Sequence, residues 1–438
     1  MDSNQNAVSA RTQFSGTRDP YLAFRYPDFR RYLLASLLLS IAQLIQEVAV
    51  GYELYQLTHD ALALGLTGLV EAVPFIGLSL YGGHVADRLS KRRIIIVSVG
   101  CVLLCSLALC LFAQFTGSGH SVTLIVAIYA VIFLIGINRA FYSPAAYALR
   151  AHLVPVAAYE NSSTWSSSSW QAGSIVGPAL GGFFYSWAGF ANTLAIVVLL
   201  IGLGLALFAR MKEQQIQPQA PPSNLLKSMK EGIGFVTHTK IILYAISLDL
   251  FSVLFGGVMA ILPIFAVDIL HVGAQGLGLL RAAPSVGAVV TLLFLARVSV
   301  IDHAWRNLLV SVGAFGVSIL IFALSPWMWL ASLALFMSGA FDSVSVVIRS
   351  TLLQLLTPDE MRGRVMAVNG IFISSSNELG AFESGVAARI MGTIPSVLFG
   401  GTMTLLTVGY VYARSRELLK ENRWPLRPDA AENNNARR

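Results

Sequence analysis

The chain has 438 residues, of which 55% are hydrophobic and only 12% are charged, and its formal net charge is +7. Soluble domains carry about 25% charged residues, so this composition excludes a soluble globular enzyme, and its high apolar content excludes a disordered chain. The apolar runs are continuous rather than alternating, which excludes a β-barrel. These observations indicate an all-α membrane protein with many spans.

Twelve apolar segments follow one another along the chain, and each is long enough for one transmembrane helix, which needs about 20 residues. We number them as the first to the twelfth span. The first six are predicted at 33–56, 62–86, 94–113, 122–145, 165–187 and 190–209. The other six are predicted at 241–268, 276–298, 307–325, 327–353, 367–391 and 394–413.

Polar segments divide these spans into two sets of six. The segment 211–239 is polar and proline-rich, and it predicts a linker that is followed by an amphipathic surface helix. We therefore expect two pseudo-symmetric six-helix bundles, joined by this linker and flanked by two tails. The expected parts are a tail at 1–31, a bundle at 32–210, the linker at 211–239, a bundle at 240–414 and a tail at 415–438.

Basic residues are confined to one side of the predicted bundle. They precede the first span, follow the second, and occur in the linker, in the loop after the tenth span and in the C-terminal tail. The connectors on the other side, such as 114–121 and 269–275, contain no Lys or Arg. Because Lys and Arg concentrate in cytoplasmic loops, both termini are predicted to be cytoplasmic.

The two sets of spans resemble each other. GLVEAVPFIG at 68–77 in the second span aligns with GLLRAAPSVG at 278–287 in the eighth, with Gly, Leu, Ala, Pro and Gly in register. Such similarity is typical of parallel halves that are related by an axis along the membrane normal. Chance similarity between apolar helices is the alternative interpretation.

A charged loop follows the second span, with the sequence GHVADRLSKR at 83–92. It resembles motif A of the major facilitator superfamily, G-x-x-x-D-R-x-G-R-R, with Ser90 in place of a glycine. The matching residues are Gly83, Asp87, Arg88 and Arg92. The resemblance implies that Asp87 caps a facing helix and helps to hold the outward-facing state. The alternative is an ordinary positively charged cytoplasmic loop.

The fifth span contains GSIVGPALGG at 173–182, which resembles motif C of the antiporters in that superfamily. Its matching residues are Gly173, Gly177, Pro178, Gly181 and Gly182. Small residues let helices approach closely, and proline bends the segment. The resemblance implies export in exchange for protons, and generic helix packing is the alternative.

Further runs resemble the enterobactin-exporter branch of the superfamily, namely DLFSVLFGG (249–257), FDSVSVVIRS (341–350), TPDEMRGRV (357–365) and SNELGAFESG (376–385). The resemblance implies a secondary active transporter in a bacterial inner membrane that exports a small molecule, a siderophore being favoured. A multidrug efflux antiporter is the first alternative, and a nutrient importer or a lysolipid flippase of the same fold follows.

Ionisable residues inside spans are costly, so they are the candidate functional residues. We counted six acids and three bases: Glu47, Glu71, Asp249, Asp342, Glu378 and Glu383, with Arg139, Arg281 and Arg389. Burial disfavours the charged form of a carboxylate, as a proton carrier requires. Asp249 is the first candidate for proton coupling and Glu71 the second, followed by Asp342 and Glu378.

The repeat places Glu71 opposite Arg281, and Arg139 opposite Asp342. We expect these to be ion pairs across the two bundles, arginines that bind an anionic group of the substrate, or static pairs that hold helices in register. Glu47 in the first span is a further candidate for a charge pair or for substrate binding. Gln43 and Gln46 in the first span are expected to line the cavity or to pack.

The expected partners are a small-molecule substrate, protons and the lipid bilayer. The sequence contains no G-x-x-x-x-G-K-[ST] loop, so we expect no use of ATP. We expect a monomer with no enzymatic activity, no metal, no cofactor and no nucleic acid.

Overall fold

The computed structural model describes residues 19–115, 121–213, 225–298, 300 and 303–416. Within these ranges the regular secondary structure is entirely helical. We label the long helices α1 to α12. In the first half of the chain they are α1 (Pro27–Thr58), α2 (Ala61–Arg88), α3 (Lys91–Phe115), α4 (Ser121–His152), α5 (159–188) and α6 (190–209). In the second half they are α7 (Lys240–Gly256), α8 (Gly273–Leu295), α9 (Ala304–Ala323), α10 (Met328–Leu356), α11 (Asp359–Met391) and α12 (Thr393–Arg414).

The helices α5 and α6 are two parts of one helical segment, Tyr159–Ala209. They meet at Gly189, whose φ of 78° lies in the left-handed region. Glycine adopts such a φ at little cost because it has no Cβ atom. This residue therefore separates the fifth and sixth predicted spans.

Ten helical stretches of the described chain are long and apolar enough to cross a membrane. One of these, Val156–Ala209, contains both α5 and α6. The helix α11 is not among the ten because charged side chains lower its hydropathy, but its 33 residues exceed the length of a span. The described helices are therefore consistent with the twelve predicted spans.

The seventh span differs most from its prediction. An uninterrupted helix was predicted over 241–268, but α7 ends at Gly256 and short turns continue to Ile269. The break frees backbone carbonyl groups, and the hydroxyl of Ser384 donates to one of them, at Gly257, over 2.9 Å. Irregular backbone at membrane depth is tolerated where such partners exist.

The predicted amphipathic helix is present at Leu225–His238, and we call it the linker helix. It packs on α7 and α11. An ion pair joins Glu231 of this helix to Arg364 of α11, and Gly232 lies against the backbone of Arg364. The rest of the predicted linker, at 214–224, and most of both predicted tails lie outside the described residues.

Helices pack in the same way in both halves. In the first half α2 packs on α4, and in the second half α8 packs on α10. Between the halves, α2 packs on α11 and α5 packs on α8. We call the end of the bundle where α1 begins and α12 ends the terminal end, and the opposite end the far end.

The two halves are in close contact toward the far end. There Gly65 of α2 lies against Gly385 of α11, and Gly182 of α5 lies against Gly278 of α8. Arg389 also forms an ion pair with Asp60 across the halves. Toward the terminal end, by contrast, a Cβ atom on Gly77 or Gly83 of α2, or on Gly370 of α11, would meet nothing within 4 Å. The halves of the described structure are therefore in close contact at the far end.

Candidate translocation site

An arginine near the middle of α4 connects the two halves. Arg139 Nη1 lies 2.8 Å from Glu71 Oε1 of α2 and 2.7 Å from Glu378 Oε1 of α11. Its guanidinium also lies 4.8 Å from the centre of the Phe75 ring, as in a cation–π contact. One cation is therefore shared by two carboxylates that come from opposite halves.

A second ion pair across the halves joins α8 to α1. Arg281 Nη1 lies 3.0 Å from Glu47 Oε1, and Arg281 Nη2 donates to the Met259 carbonyl oxygen over 3.2 Å. The Arg281 side chain is only 12% exposed, and its buried Nε has no hydrogen-bond partner, whereas the Glu47 side chain is 58% exposed. Arg281 therefore has an unused donor and a partner that solvent already reaches.

These two groups form what we call the central cluster. It contains three acids and two bases, each near the middle of its helix: Glu47, Glu71, Glu378, Arg139 and Arg281. Because it has one carboxylate more than it has bases, the cluster can accept a proton or a cationic or hydrogen-bonding ligand. The cluster lies between the halves, where alternating access requires the solute to bind.

The pairs drawn from the repeat are wrong. Glu71 was expected to pair with Arg281 and Arg139 with Asp342, but Glu71 contacts Arg139 of its own half, and Arg281 contacts Glu47. Residues related by a two-fold axis occupy equivalent places in their own halves, so they meet only when they lie beside that axis. The elements that meet across the axis in this conformation are α2 with α11 and α5 with α8.

A second group of charges lies inside the second half. Asp249 of α7 forms an ion pair with Arg349 of α10, and the side chains of both are less than a tenth exposed. Asp342 lies seven residues before Arg349 on α10, and it is close enough to interact electrostatically with both Asp249 and Arg349. We call these three residues the α7–α10 cluster. Asp249 is thus bound to a base rather than placed in the central cluster.

The sequence reasoning missed Arg349, although it falls inside the predicted tenth span. Two acids were missed in the same way: Glu53 accepts a hydrogen bond from Tyr185, and Asp268 accepts one from Tyr55. A complete count of charged residues within the predicted spans also adds Arg297, and it gives eight acids against five bases, so the surplus of three acids is unchanged.

The two glutamines of α1 lie on different faces. Gln46 is buried, and its Oε1 accepts a hydrogen bond of 2.8 Å from Ser106 of α3, so it packs within the first half instead of lining the cavity. Gln43 is exposed and lies one helical turn before Glu47, on the same face of α1. Only Gln43 is thus placed beside the central cluster.

The glycines of the motif C segment make two different contacts. Gly173, Gly177 and Gly181 lie against α1, where an added Cβ would be 2.9 Å from Ser40 Cβ, 2.7 Å from Leu44 Cβ and 3.1 Å from Ile45 Cα respectively. Gly182 faces the other way, and its Cβ would be 2.3 Å from the Ala274 carbonyl oxygen of α8. The Pro178 carbonyl oxygen similarly approaches Gly278.

The motif A loop contacts the end of α6. Arg92 Nη2 donates to the Ala209 carbonyl oxygen over 2.6 Å, so it caps that helix, while Arg88 is exposed. Ser90 has no positive φ, and its Oγ lies 3.5 Å from the backbone nitrogen of Arg93, so the turn does not need the glycine of the family motif. Gly83 faces open space, and the side chain of Asp87 lies outside the described part of the chain.

Comparison with curated proteins finds exporters of similar length. The enterobactin exporter EntS of Citrobacter koseri is 26% identical over 416 residues, which cover 93% of this chain and 96% of that protein. The protein of the same name from Shigella flexneri is 24% identical over 393 residues, which cover 88% and 90%. This chain is thus similar to exporters over nearly its whole length.

Solved structures share the fold at low identity. A bacterial homologue of the human lysosomal transporter Spinster superposes with a TM-score of 0.68 at 14% identity, covering 94% of this chain and all of that one. The peptide transporter POT in complex with sulfate gives 0.70 at 13% identity, covering 90% and 95%. The fold is therefore the twelve-helix transporter fold of two pseudo-symmetric bundles.

A family model settles the relationship that the motifs indicated. The model described as "transmembrane secretion effector" matches residues 19–429, which include every helix described above. The relatives and the family are multi-pass membrane transport proteins. The chain belongs to the transmembrane secretion effector family of the major facilitator superfamily.

Proposed function

We propose that the protein is a secondary active transporter that exports a small organic molecule, a siderophore, in exchange for protons by alternating access. The observation that carries this proposal is the position of Arg139 between Glu71 and Glu378, which come from opposite halves. The name of the curated relatives, enterobactin exporter, supports the substrate class. No covalent chemistry is part of the proposal, and the working unit is the monomer.

Protons act on the contact between α4 and α11. When Glu378 takes up a proton, it loses most of its attraction for Arg139, and Arg139 is then held by Glu71 alone. Loss of that link favours separation of the halves at this level, so protonation shifts the equilibrium between the two open states. Release of the proton restores the link.

Substrate acts on the contact between α8 and α1. An acidic oxygen of the substrate replaces Glu47 as the partner of Arg281. The free Nε of Arg281 is a second donor, so the guanidinium can bind two neighbouring oxygen atoms that lie in one plane. Siderophores present such oxygen pairs to iron, so an iron-free molecule offers them to the guanidinium. Gln43, exposed on the same face of α1, adds a further hydrogen-bonding group.

The positive-inside pattern supports cytoplasmic termini, and the bacterial exporters to which the chain is similar support a bacterial inner membrane as the location. Because the halves are in close contact at the far end, the solute then enters from the terminal, cytoplasmic end. The two bundles are proposed at 32–210 and 240–414. A multidrug efflux antiporter is the alternative, and it shares every step except the replacement of Glu47 by an acidic oxygen.

Export is tested in the native host under iron limitation. Siderophore is measured in the supernatant and inside the cells of a deletion strain, its complemented parent and strains that carry single variants. Siderophore lost from the medium and accumulated in the cells supports the proposal. Normal secretion by the deletion strain, in a background without other exporters, contradicts the siderophore and leaves a panel of drugs to be tested.

Proton coupling is tested in proteoliposomes with a pH gradient. We expect Glu378→Gln to lower gradient-driven transport by about 10- to 100-fold, because a charge-assisted hydrogen bond contributes about 1.5–3 kcal/mol. Transport down a solute gradient should remain. The matched control is Glu53→Gln in α1, whose partner Tyr185 lies in the same half. Equal losses in both variants, or unchanged coupling in Glu378→Gln, contradict the mechanism.

A further inference from the structure

A long apolar groove lies on the flank of the first half, away from the central cluster. It is bounded by α3, α4 and the end of α2, and its volume is about 750 Å³. That volume lies within the range of specific ligand pockets, which is about 300–1,000 Å³. The helix α3 packs on α4 and α6 of its own half. The groove is therefore open to the side of the bundle, where lipid surrounds the protein.

The wall of the groove formed by α3 has one charged residue, and apart from the buried Ser98 its other residues are cysteines or aliphatic residues. Arg93, Val97, Cys101 and Leu104 follow at helical spacing on one face, and all four are exposed. The Val97 and Leu104 side chains are 65% exposed. On the α4 side, Leu134 and other apolar residues complete the wall, together with one polar residue, Asn138. A ligand that matches this wall has an anionic end and a long apolar part.

The length of the groove corresponds to half of a membrane. Along α3 it extends from Arg93, close to the terminal end, to Cys105. Twelve residues of helix rise by about 18 Å, and one leaflet contributes about 15 Å to the hydrocarbon core. A partner helix would need a contact along the whole span, whereas one acyl chain reaches only to the midplane. The geometry thus fits a lipid chain.

The cation at the mouth of the groove is available to an anion. Arg93 Nε lies 2.8 Å from Glu213 Oε1, but the side chains are 74% and 45% exposed, and pairs so exposed are weak. The neighbouring Arg92 is already used to cap α6. A phosphate offers a guanidinium the same oxygen geometry as the carboxylate of Glu213, with more charge.

We propose that this groove is a binding site for one glycerophospholipid, with an acyl chain along α3 and the headgroup phosphate at Arg93 in place of Glu213. The site is independent of the transported solute and of proton coupling. The bound lipid belongs to the membrane leaflet at the terminal end of the protein. Binding there also releases Glu213, which is the last described residue before the linker.

The natural cysteines provide the probe. The sequence contains only three, and Cys101 is exposed inside the groove. Full-length protein with Cys105→Ala and Cys110→Ala is purified in detergent, and the rate of alkylation of Cys101 by a maleimide is measured against added dioleoylphosphatidylglycerol. We expect saturable protection, and Arg93→Gln should raise the lipid concentration for half-protection by about tenfold, the typical effect of losing one charge-assisted contact.

A matched control separates this site from general lipid contact. The second probe variant keeps Cys105→Ala and Cys110→Ala and adds Cys101→Ala and Leu111→Cys. Its only thiol therefore lies on the same helix but beyond the groove, where Leu111 is 44% exposed. Equal protection of both thiols, or unchanged protection in Arg93→Gln, overturns the proposal. If protection of the thiol increases with protein concentration and not with lipid concentration, the groove is occupied by a second copy of the chain, and the proposal is also overturned. Glycerol phosphate alone should give no protection. If it does protect the thiol, the acyl chain is not needed for binding, and the proposal is overturned.

Discussion

The two halves of the molecule share one kind of helix contact, in which a glycine of one helix lies against a proline of another. In the first half Gly136 of α4 lies against Pro74 of α2, and an added Cβ would be 2.8 Å from Pro74 Cγ. In the second half Gly339 of α10 lies against Pro284 of α8, and its Cβ would be 2.5 Å from Pro284 Cα. The positions match the repeat seen in the sequence, so the packing of this helix pair is common to both halves.

The charges beside these contacts are reversed. The first half has Glu71 on α2 and Arg139 on α4, which contact each other. At the equivalent positions the second half has Arg281 on α8 and Asp342 on α10, and Arg281 instead contacts Glu47 of the other half. Close packing therefore persisted between the halves while their electrostatics diverged, and each half contributes a base that pairs across the axis.

A further difference lies closer to the terminal end. Where α10 has the buried Arg349, the equivalent position on α4 is Ala146, whose carbonyl oxygen accepts a hydrogen bond of 3.2 Å from Tyr32. The same helix contact is thus held by a buried ion pair in one half and by a neutral hydrogen bond in the other. Variants at these sites therefore compare the contribution of the ion pair to stability with that of the hydrogen bond.

The largest effect is expected for Asp249→Asn. It leaves Arg349 charged and without its partner in a buried place, which costs about 3–5 kcal/mol of stability. The corresponding change in the first half, Tyr32→Phe, removes one neutral hydrogen bond and should cost about 1 kcal/mol. Thermal unfolding in detergent measures both.

The double variant Asp249→Leu with Arg349→Met decides what the pair does. Because replacement of a buried ion pair by apolar residues is often neutral, we expect its thermal stability to return. Full proton-coupled transport by this variant would make Asp249 a structural residue and remove it from the proton-coupling candidates. Lost coupling with restored stability would keep it among them. Equal stability losses for Asp249→Asn and Tyr32→Phe would contradict the comparison.

An intermediate effect is expected at the far end. Gly278→Val forces a side chain against the Pro178 carbonyl oxygen, 2.4 Å from the new Cβ. Overpacking costs about 1–3 kcal/mol, so the closed far end should lose about 10- to 100-fold in population. Gly77→Val, which meets open space, is the matched control. Labelling of a cysteine placed at the buried Ala274, whose carbonyl oxygen lies against Gly182, measures far-end opening, and unchanged labelling in Gly278→Val would refute the close contact.

The smallest effect is expected for Arg389→Gln, which removes the ion pair with Asp60 across the halves. The two side chains are 55% and 34% exposed, and such pairs contribute up to about 1 kcal/mol. Far-end labelling should increase slightly at low salt and not at high salt, because salt screens exposed charges. Asp60 itself should be kept, since its side chain accepts from the Leu62 backbone nitrogen at the start of α2. A large, salt-independent increase would assign this pair a greater role.

Composition, apolar length and motif spacing were sufficient to predict the fold class, the family and seven helices to within three residues at each end. The helices α1, α4 and α5 extend six or seven residues further at one end than was predicted, into segments that contain polar or charged residues. The exceptions have local causes. The break after Gly256 is hidden within a continuous apolar run, and the early start of α11 lies among charged residues that resemble a loop. Hydropathy records how apolar a segment is, and it does not record where the helix axis bends.

The candidate site was predicted less completely. Charged positions inside spans identified Glu71, Arg139 and Glu378, which the structure brings together. The partners were not predictable, because they depend on which helices meet across the axis and on side-chain reach. Gln46 shows the same limit, since one position along a helix decides between the cavity and the packed face of α3.

The contact between α5 and α8 has a further consequence for energy conversion. It is formed by the backbone of Pro178, Gly182 and Gly278, which have no flexible or titratable side chains at this point. Its tightness therefore does not vary with voltage or acidity, in contrast to the ion pairs nearby. A carrier that works against a proton-motive force wastes that force if ions leak past the closed side. Under the proposed proton antiport, the closed side resists leakage through a contact that contains no side chains.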